Sequence, residues 1–231
     1  MNVKKMLIFI MFFNIKSIIA QKTETFGDAN SKKGFGIGIN LSTNGIGGQV
    51  AYSFLNNGKL NGRLEARTLS LKMNDYEADI NGTKLVADVT VKLGSVGAMI
   101  DFHPFGNAFK VTGGYAILLN DISGLAITKD STKFGDISIP PDEVGTISFG
   151  MNVKGSPYIG IGFGRAVPKK RFGFTFEVGS YYTGAPNVTF KTTGMLEPTS
   201  ANEPTLRKNL SGLTWWPVMN LGFNFRLGKI N

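Results

Sequence analysis

From about residue 33 onward the chain repeats one pattern, a large apolar side chain followed by a small or polar one. Phe35, Ile37, Ile39 and Leu41 alternate with Gly34, Gly36, Gly38 and Asn40; Ile46, Val50, Tyr52 and Phe54 alternate with Gly47, Gln49, Ala51 and Ser53. A period of two marks a strand whose two faces differ chemically. Further strands are predicted over 59–71, 84–102, from Phe109 to about Leu119, over 145–164, from Arg171 to Phe190 and over 215–227, which makes eight. In the fourth, the apolar parity is odd through Leu93 and even from Val96, a phase change that predicts a β-bulge at Gly94–Ser95. In the sixth, an odd apolar face runs from Ile147 through Val153 to Phe163.

The stretch GIGFG at 160–164 does not spell a phosphate loop. Its glycines alternate with Ile161 and Phe163, Arg165 stands where a third glycine is required, and no helical period follows. Bare and bulky faces on one strand fit a closed sheet, with the crowded side concave and the phenylalanines outside.

The connections add to this picture. Those after strands two, four and six are short (LNNGK, HPFGNA, RAVPKK), whereas those after three, five and seven are long and polar, around MNDYEADING, KDSTKFGDISIPPDEV and TTGMLEPTSANEPTLRKN. Short turns on one side and long loops on the other characterise outer-membrane barrels, which have even strand numbers. The expected fold is therefore all-β, an eight-stranded antiparallel up-and-down transmembrane β-barrel with short turns and both termini in the periplasm. A soluble barrel with its apolar face inward around a ligand is the competing arrangement.

The chain begins MNVKKMLIFIMFF and reaches SIIA at 17–20, which reads as a signal peptide over 1–20 followed by a short periplasmic segment over 21–32 and the barrel over 33–231. The absence of cysteine excludes disulfide and thiolate-metal scaffolds. The formal charge of +9 comes from scattered lysines and arginines, which argues for a solvated rim and against a nucleic-acid partner.

Three segments resemble a known family: DFHPFGNAFKVTGGYAILLND (101–121), SPYIGIGFGRA (156–166) and RFGFTFEVGSYYTGAPNVTFKTTG (171–194). They are similar to a group of small, poorly characterised Gram-negative outer-membrane β-barrel proteins with D-W-H-P-F and PYLGLGWG-like motifs. Phe102 stands where that pattern has tryptophan, and Glu177 stands at its acidic position. The resemblance implies a place in the Gram-negative cell outer membrane, among its lipid and lipopolysaccharide and reached through the assembly machinery. No activity is attached to the family.

Candidate chemistry is sparse. His103 is the one histidine, and Asp75, Glu77 and Asp79 alternate in a loop where they could offer oxygens to calcium but read better as a solvated surface. No catalytic, cofactor-binding or metal site is expected. The charged residues at lumen parity stand out: Arg63, Glu65 and Arg67 on the third strand, Asp101 on the fourth, Glu177 on the seventh and Arg226 on the eighth. The third and seventh strands face each other across an eight-membered ring, so these side chains are expected to form an ion-pair network that fills the lumen. The functional expectation is a structural or passive-permeability protein and not an enzyme. Its alternatives are a narrow pore or small-ligand barrel, suggested by inward glycines such as Gly36, Gly114, Gly160 and Gly179, and a surface adhesion protein acting through its long loops.

Overall fold

The computed structural model describes residues 33–228 apart from Asn56, Asn81, Gly82, Asp130, Gly135 and Asp136. The expected signal peptide (1–20) and N-terminal segment (21–32) lie outside the described residues. The fold is all-β and antiparallel. Its main sheet contains β1 (Gly34–Ser42), β2 (Gly45–Ser53), β3 (Leu60–Ile80), β4 (Thr83–Phe102), β5 (Phe109–Leu118), β6 (Asn120–Thr128), β9 (Thr146–Val153), β10 (Ser156–Phe163), β11 (Phe172–Tyr182), β12 (Asn187–Thr192) and β13 (Trp215–Leu227). A separate short hairpin pairs β7 (Thr132–Phe134) with β8 (Ile137–Ile139).

Eight of these strands pair in a closed ring, β4-β3-β2-β1-β13-β11-β10-β5 and back to β4. Each of the eight strands read from the sequence supplies one member. The chain ends of β1 and β13 share the side of the short turns, where Phe35 pairs with Leu227. Alternation places the apolar side chains on the outside: Ile37, Ile39, Leu64, Ile100, Ile159, Phe174 and Leu221 are all exposed. The opposite parity is buried and largely polar, with Asn40, Gln49, Arg63, Glu65, Thr112 and Glu177 each at most 5% exposed.

Above the ring, part of the wall continues as an open sheet. β1 and β2 stop at a tight turn where Ile46 pairs with Thr68, but β3 carries on for twelve further residues to Ile80. The outer half of β4 pairs with β6, β6 with β9, and β9 with β12. The predicted third strand is thus too short; the segment around Met73–Ile80, expected to be loop, is strand. The predicted sixth and seventh strands are too long, since each is two strands, broken at Lys154–Gly155 and at 183–186.

The expected bulge at Gly94–Ser95 is absent. Thr68 pairs with Gly94 and Arg67 with Ser95 in unbroken register, and the shift lies instead between Met73 and Tyr76. There Asp75 takes a positive φ of 56°, which Asp tolerates better than most residues, and its N–H donates to Asp88 Oδ1 at 3.0 Å. The parity change in β4 therefore has another cause. Its odd residues face inward throughout, and the preference of that face switches from polar in the ring (Ser95, Asp101) to apolar above it (Val89, Val91, Leu93). The continuous odd face expected of 145–164 also fails. Ile159, Ile161 and Phe163 point outward, while Val153 is buried in a cluster with Met99, Leu118, Tyr158, Tyr181 and Val218.

The long 193–214 connection folds as a 3₁₀ segment (Gly194–Asn202) and a short α-helix (Glu203–Leu210) against β12. Arg207 bridges Glu203, at 2.7 Å, and the Val188 carbonyl, at 3.1 Å. At its base Gly194 (φ 63°) passes Gly145 (φ 95°) so closely that a Cβ on either would meet backbone, and both angles favour glycine.

Candidate functional site

The lumen of the ring is filled in three tiers. In the middle tier, Arg63 from β3 reaches across to Glu177 on β11, and its Nη2 donates to both carboxylate oxygens at 2.7 Å. The same guanidinium lies 3.3 Å from Glu65 and 3.4 Å from Asp101. Arg67 joins through Glu65 at 2.8 Å. Lys110 of β5 sits between Asp101, at 3.4 Å, and Glu177. Thr112 donates to Asp101 at 2.8 Å, and the Tyr158 hydroxyl donates to Glu177 at 2.7 Å. All six charged side chains are at most 2% exposed. Three cations thus balance three carboxylates, as charges removed from water must be balanced. A neutral string continues beside them: Gln49 donates to Asn224 at 2.5 Å, and Asn224 to Thr175 at 3.2 Å.

The structure brings Arg63, Glu65, Arg67, Asp101 and Glu177 together. Arg226 is not with them: it lies at the turn end, donating to the carbonyls of Pro168 at 2.9 Å and Lys33 at 3.4 Å. Parity names the face a residue occupies but not its height along the axis, and Arg226 lies below the others. Lys110, Thr112 and Tyr158 are additional members. Each stands at lumen parity in its strand, so the same alternation that marked Glu177 could have found them.

The lower tier is the turn 164–171, which folds into the ring. Ala166 and Val167 are buried against Ala51. Arg165 ties this turn to the other two by donating to the carbonyls of Gly58, of Gly106 at 2.6 Å and of Asn107 at 3.1 Å. Burial disfavours its charged form and lowers its pKa from the ordinary value. His103 is fully buried in the neighbouring turn, with Nδ1 3.0 Å from the Phe109 carbonyl oxygen and Nε2 without a hydrogen-bond partner among the described residues. Burial, with Arg165 close by, lowers its pKa to about 4, so the ring is neutral near pH 7 and Nδ1 is the donor.

The upper tier is apolar: Met99, Ala116, Leu118, Val153, Tyr181 and Val218, with Trp216 packed on top. A cavity of about 340 Å³ lies above it, lined mainly by Met151, Val153, Leu213, Trp215 and Trp216. The inward glycines do not leave an open passage. Gly160 and Gly179 abut the Tyr158 ring, and Gly36 abuts the Ala166 carbonyl. Among the described residues, no group of three His, Asp or Glu is placed to hold a metal ion. Glu77 is paired with Lys129 at 2.6 Å, and the side chain of Asp79 lies outside the described residues.

No protein-family model and no curated protein matches the chain. Among solved structures it is similar to CarO of Acinetobacter baumannii, with a TM-score of 0.59 and 24% identity over 85% of this chain and 99% of that one. CarO2 of the same organism gives 0.56 and 23% over 84% and 98%. A major outer membrane protein of Thermus thermophilus gives 0.41 and 13% over 84% and 99%. What the chain shares with the two Acinetobacter proteins is the fold.

Proposed function

We propose that this chain is an integral protein of the Gram-negative outer membrane: an eight-stranded transmembrane β-barrel with a closed lumen and a structural role, not an enzyme. The observation that carries the reading is the polarity of the ring. Its outer face is apolar on every strand while its inner face holds six paired charges, the reverse of what water outside would favour. Ring strands of nine (β1), ten (β5) and eleven (β11) residues match the ~9–11 that a tilted transmembrane strand needs. The short turns and both strand ends then face the periplasm, and the open sheet stands outside the cell. Polar atoms, carbonyls and apolar side chains fill the lumen successively, which supports a barrel that does not conduct.

Purified mature chain reconstituted in a planar bilayer tests this. The expected result is a compact, heat-modifiable protein that needs detergent and gives no discrete conductance. Openings that shift on charge reversal at Arg63 or Glu65 would establish the narrow-pore reading instead. A chain that stays dissolved and monomeric without detergent would exclude both.

A further inference from the structure

The two ends of the ring differ in charge. The turns at the closed end, 54–59, 103–108 and 164–171, contain no aspartate or glutamate. Their charged residues are all basic: Lys59, the buried Arg165, and the exposed Lys169, Lys170 and Arg171, joined by exposed Lys33 just before β1. At the opposite end, Asp75, Glu77, Glu143, Glu197 and Glu203 mix with Lys129, Lys154 and Arg207. Among the described residues, charge is thus unevenly displayed, with one set of turns carrying a single sign.

A second feature coincides with this surface. Exposed phenylalanines stand on the wall just above the turns, including Phe102, Phe163 and Phe172, with Phe54 and Phe105 exposed in the turns themselves. They are linked by ring contacts, such as Phe109–Phe163 at 5.7 Å and Phe172–Phe225 at 5.2 Å. At the 164–171 turn the cations begin one or two residues beyond Phe163 and Phe172, roughly 3–7 Å further along the strand axis. The Arg171 guanidinium stacks over Phe225 at 5.5 Å, which fixes it at the edge of the apolar band. Rings that end an apolar wall mark where acyl chains give way to headgroups. Cations placed immediately past them stand at the depth of the phosphates, and their summed field reaches a Debye length of about 8–10 Å into the headgroup layer.

We propose that this turn end is a binding surface for anionic phospholipid headgroups, recruiting phosphatidylglycerol-type lipids from the adjacent leaflet in preference to zwitterionic ones. The proposal rests on the transmembrane-barrel reading, which supplies the depth scale. Lysine stems can lie along the phenylalanine band while their ammonium groups reach the phosphates, and arginine offers a planar fork suited to a phosphate.

The test uses the mature chain folded in nanodiscs of phosphatidylcholine with a minority of phosphatidylglycerol, with retained lipid read by native mass spectrometry. The wild type is expected to retain phosphatidylglycerol at least about fivefold above its bulk fraction, the factor one interfacial cation alone corresponds to. The variant Lys59→Gln/Lys169→Gln/Lys170→Gln/Arg171→Gln should lose that enrichment while keeping its heat-modifiable fold. The matched variant Lys92→Gln/Lys154→Gln/Lys191→Gln/Lys208→Gln, which neutralises exposed lysines elsewhere, should keep it. An unenriched wild type, or equal loss in both variants, would overturn the proposal and leave the barrel reading standing. A chain that enters no nanodisc and stays dissolved in buffer would remove the barrel reading and this inference together.

Discussion

The ring and the sheet that rises from it share strands but differ in polarity. The raised sheet is mixed, with Leu71, Met73 and Tyr76 exposed on its inner face and Leu125 and Ile127 on its outer one. In the ring, β4 turns Val96, Ala98 and Ile100 outward and Ser95, Met99 and Asp101 inward. Further along the same strand, with no break in register, Lys92 and Asp88 face outward and Val91 and Val89 inward, beside Ile122 and Gly124 of β6. β9 and β12 extend that inner surface with Phe149, Met151, Val188 and Phe190, while Ser148, Asn152, Asn187 and Lys191 occupy the outside. A sheet surrounded by lipid is apolar outside; a sheet in water hides its apolar face. On the transmembrane reading proposed above, the inversion at Leu93–Val96 is where lipid would give way to water.

The sharpest way to break this comparison is to uncouple the charged tier, which only the ring possesses. Glu177→Ala leaves Arg63 and Lys110 buried without their shared partner, and about 3–5 kcal/mol of stability should be lost. The compact band on unheated gels should disappear, and Glu177→Gln, which keeps the shape but not the charge, should rescue it only in part. A matched pair of lysines tests the outer faces next. Ile161→Lys on the ring should cost about 2–4 kcal/mol in vesicle-folding titrations, as a cation facing lipid does. Asn187→Lys on the raised sheet, exposed and opposite Asn152, should change stability by less than about 0.5 kcal/mol.

Acid should separate the regions through His103. Its pKa is near 4 in the folded protein against 6.5 in a free side chain, so the neutral ring stabilises the fold fully above pH 6.5. That contribution, roughly 3 kcal/mol, should fade as pH falls from 6.5 toward 4. Urea midpoints for wild type and His103→Gln should converge over that window, and hydrogen exchange should rise in the turns before the raised sheet responds. A smaller loss is expected inside the raised sheet: Val188 is fully buried there, and Val188→Ala should cost about 1.5 kcal/mol. Its readout is loop proteolysis on whole cells, with the ring remaining intact.

Much of the lumen is legible from alternation. Arg63, Glu65, Asp101 and Glu177 can be grouped because strand parity fixes a face and an even ring fixes which strands oppose. Lys110 and Tyr158 sit at the same parity and are legible by the same alternation, although Lys110 lies next to the start of its strand and Tyr158 is aromatic. Arg226 shows the limit from the other side. It has the right face and lies too low, because height depends on how far each strand is displaced against the next. The parity change at Leu93–Val96 is legible as well, but its cause is not. A change of solvent and an inserted residue leave the same mark on a one-dimensional pattern.

The sequence by itself determined the segments that supply the eight ring strands and which side of each ring strand is apolar, because these follow from side-chain period and local turn chemistry. Only the tertiary structure decided the rest: that β9 and β12 leave the ring for an open sheet, that the turn 164–171 folds inward, and that three cations and three carboxylates meet at one level. Those outcomes depend on strand register and on contacts between residues far apart in the chain, such as Arg63 and Glu177, which no local pattern encodes.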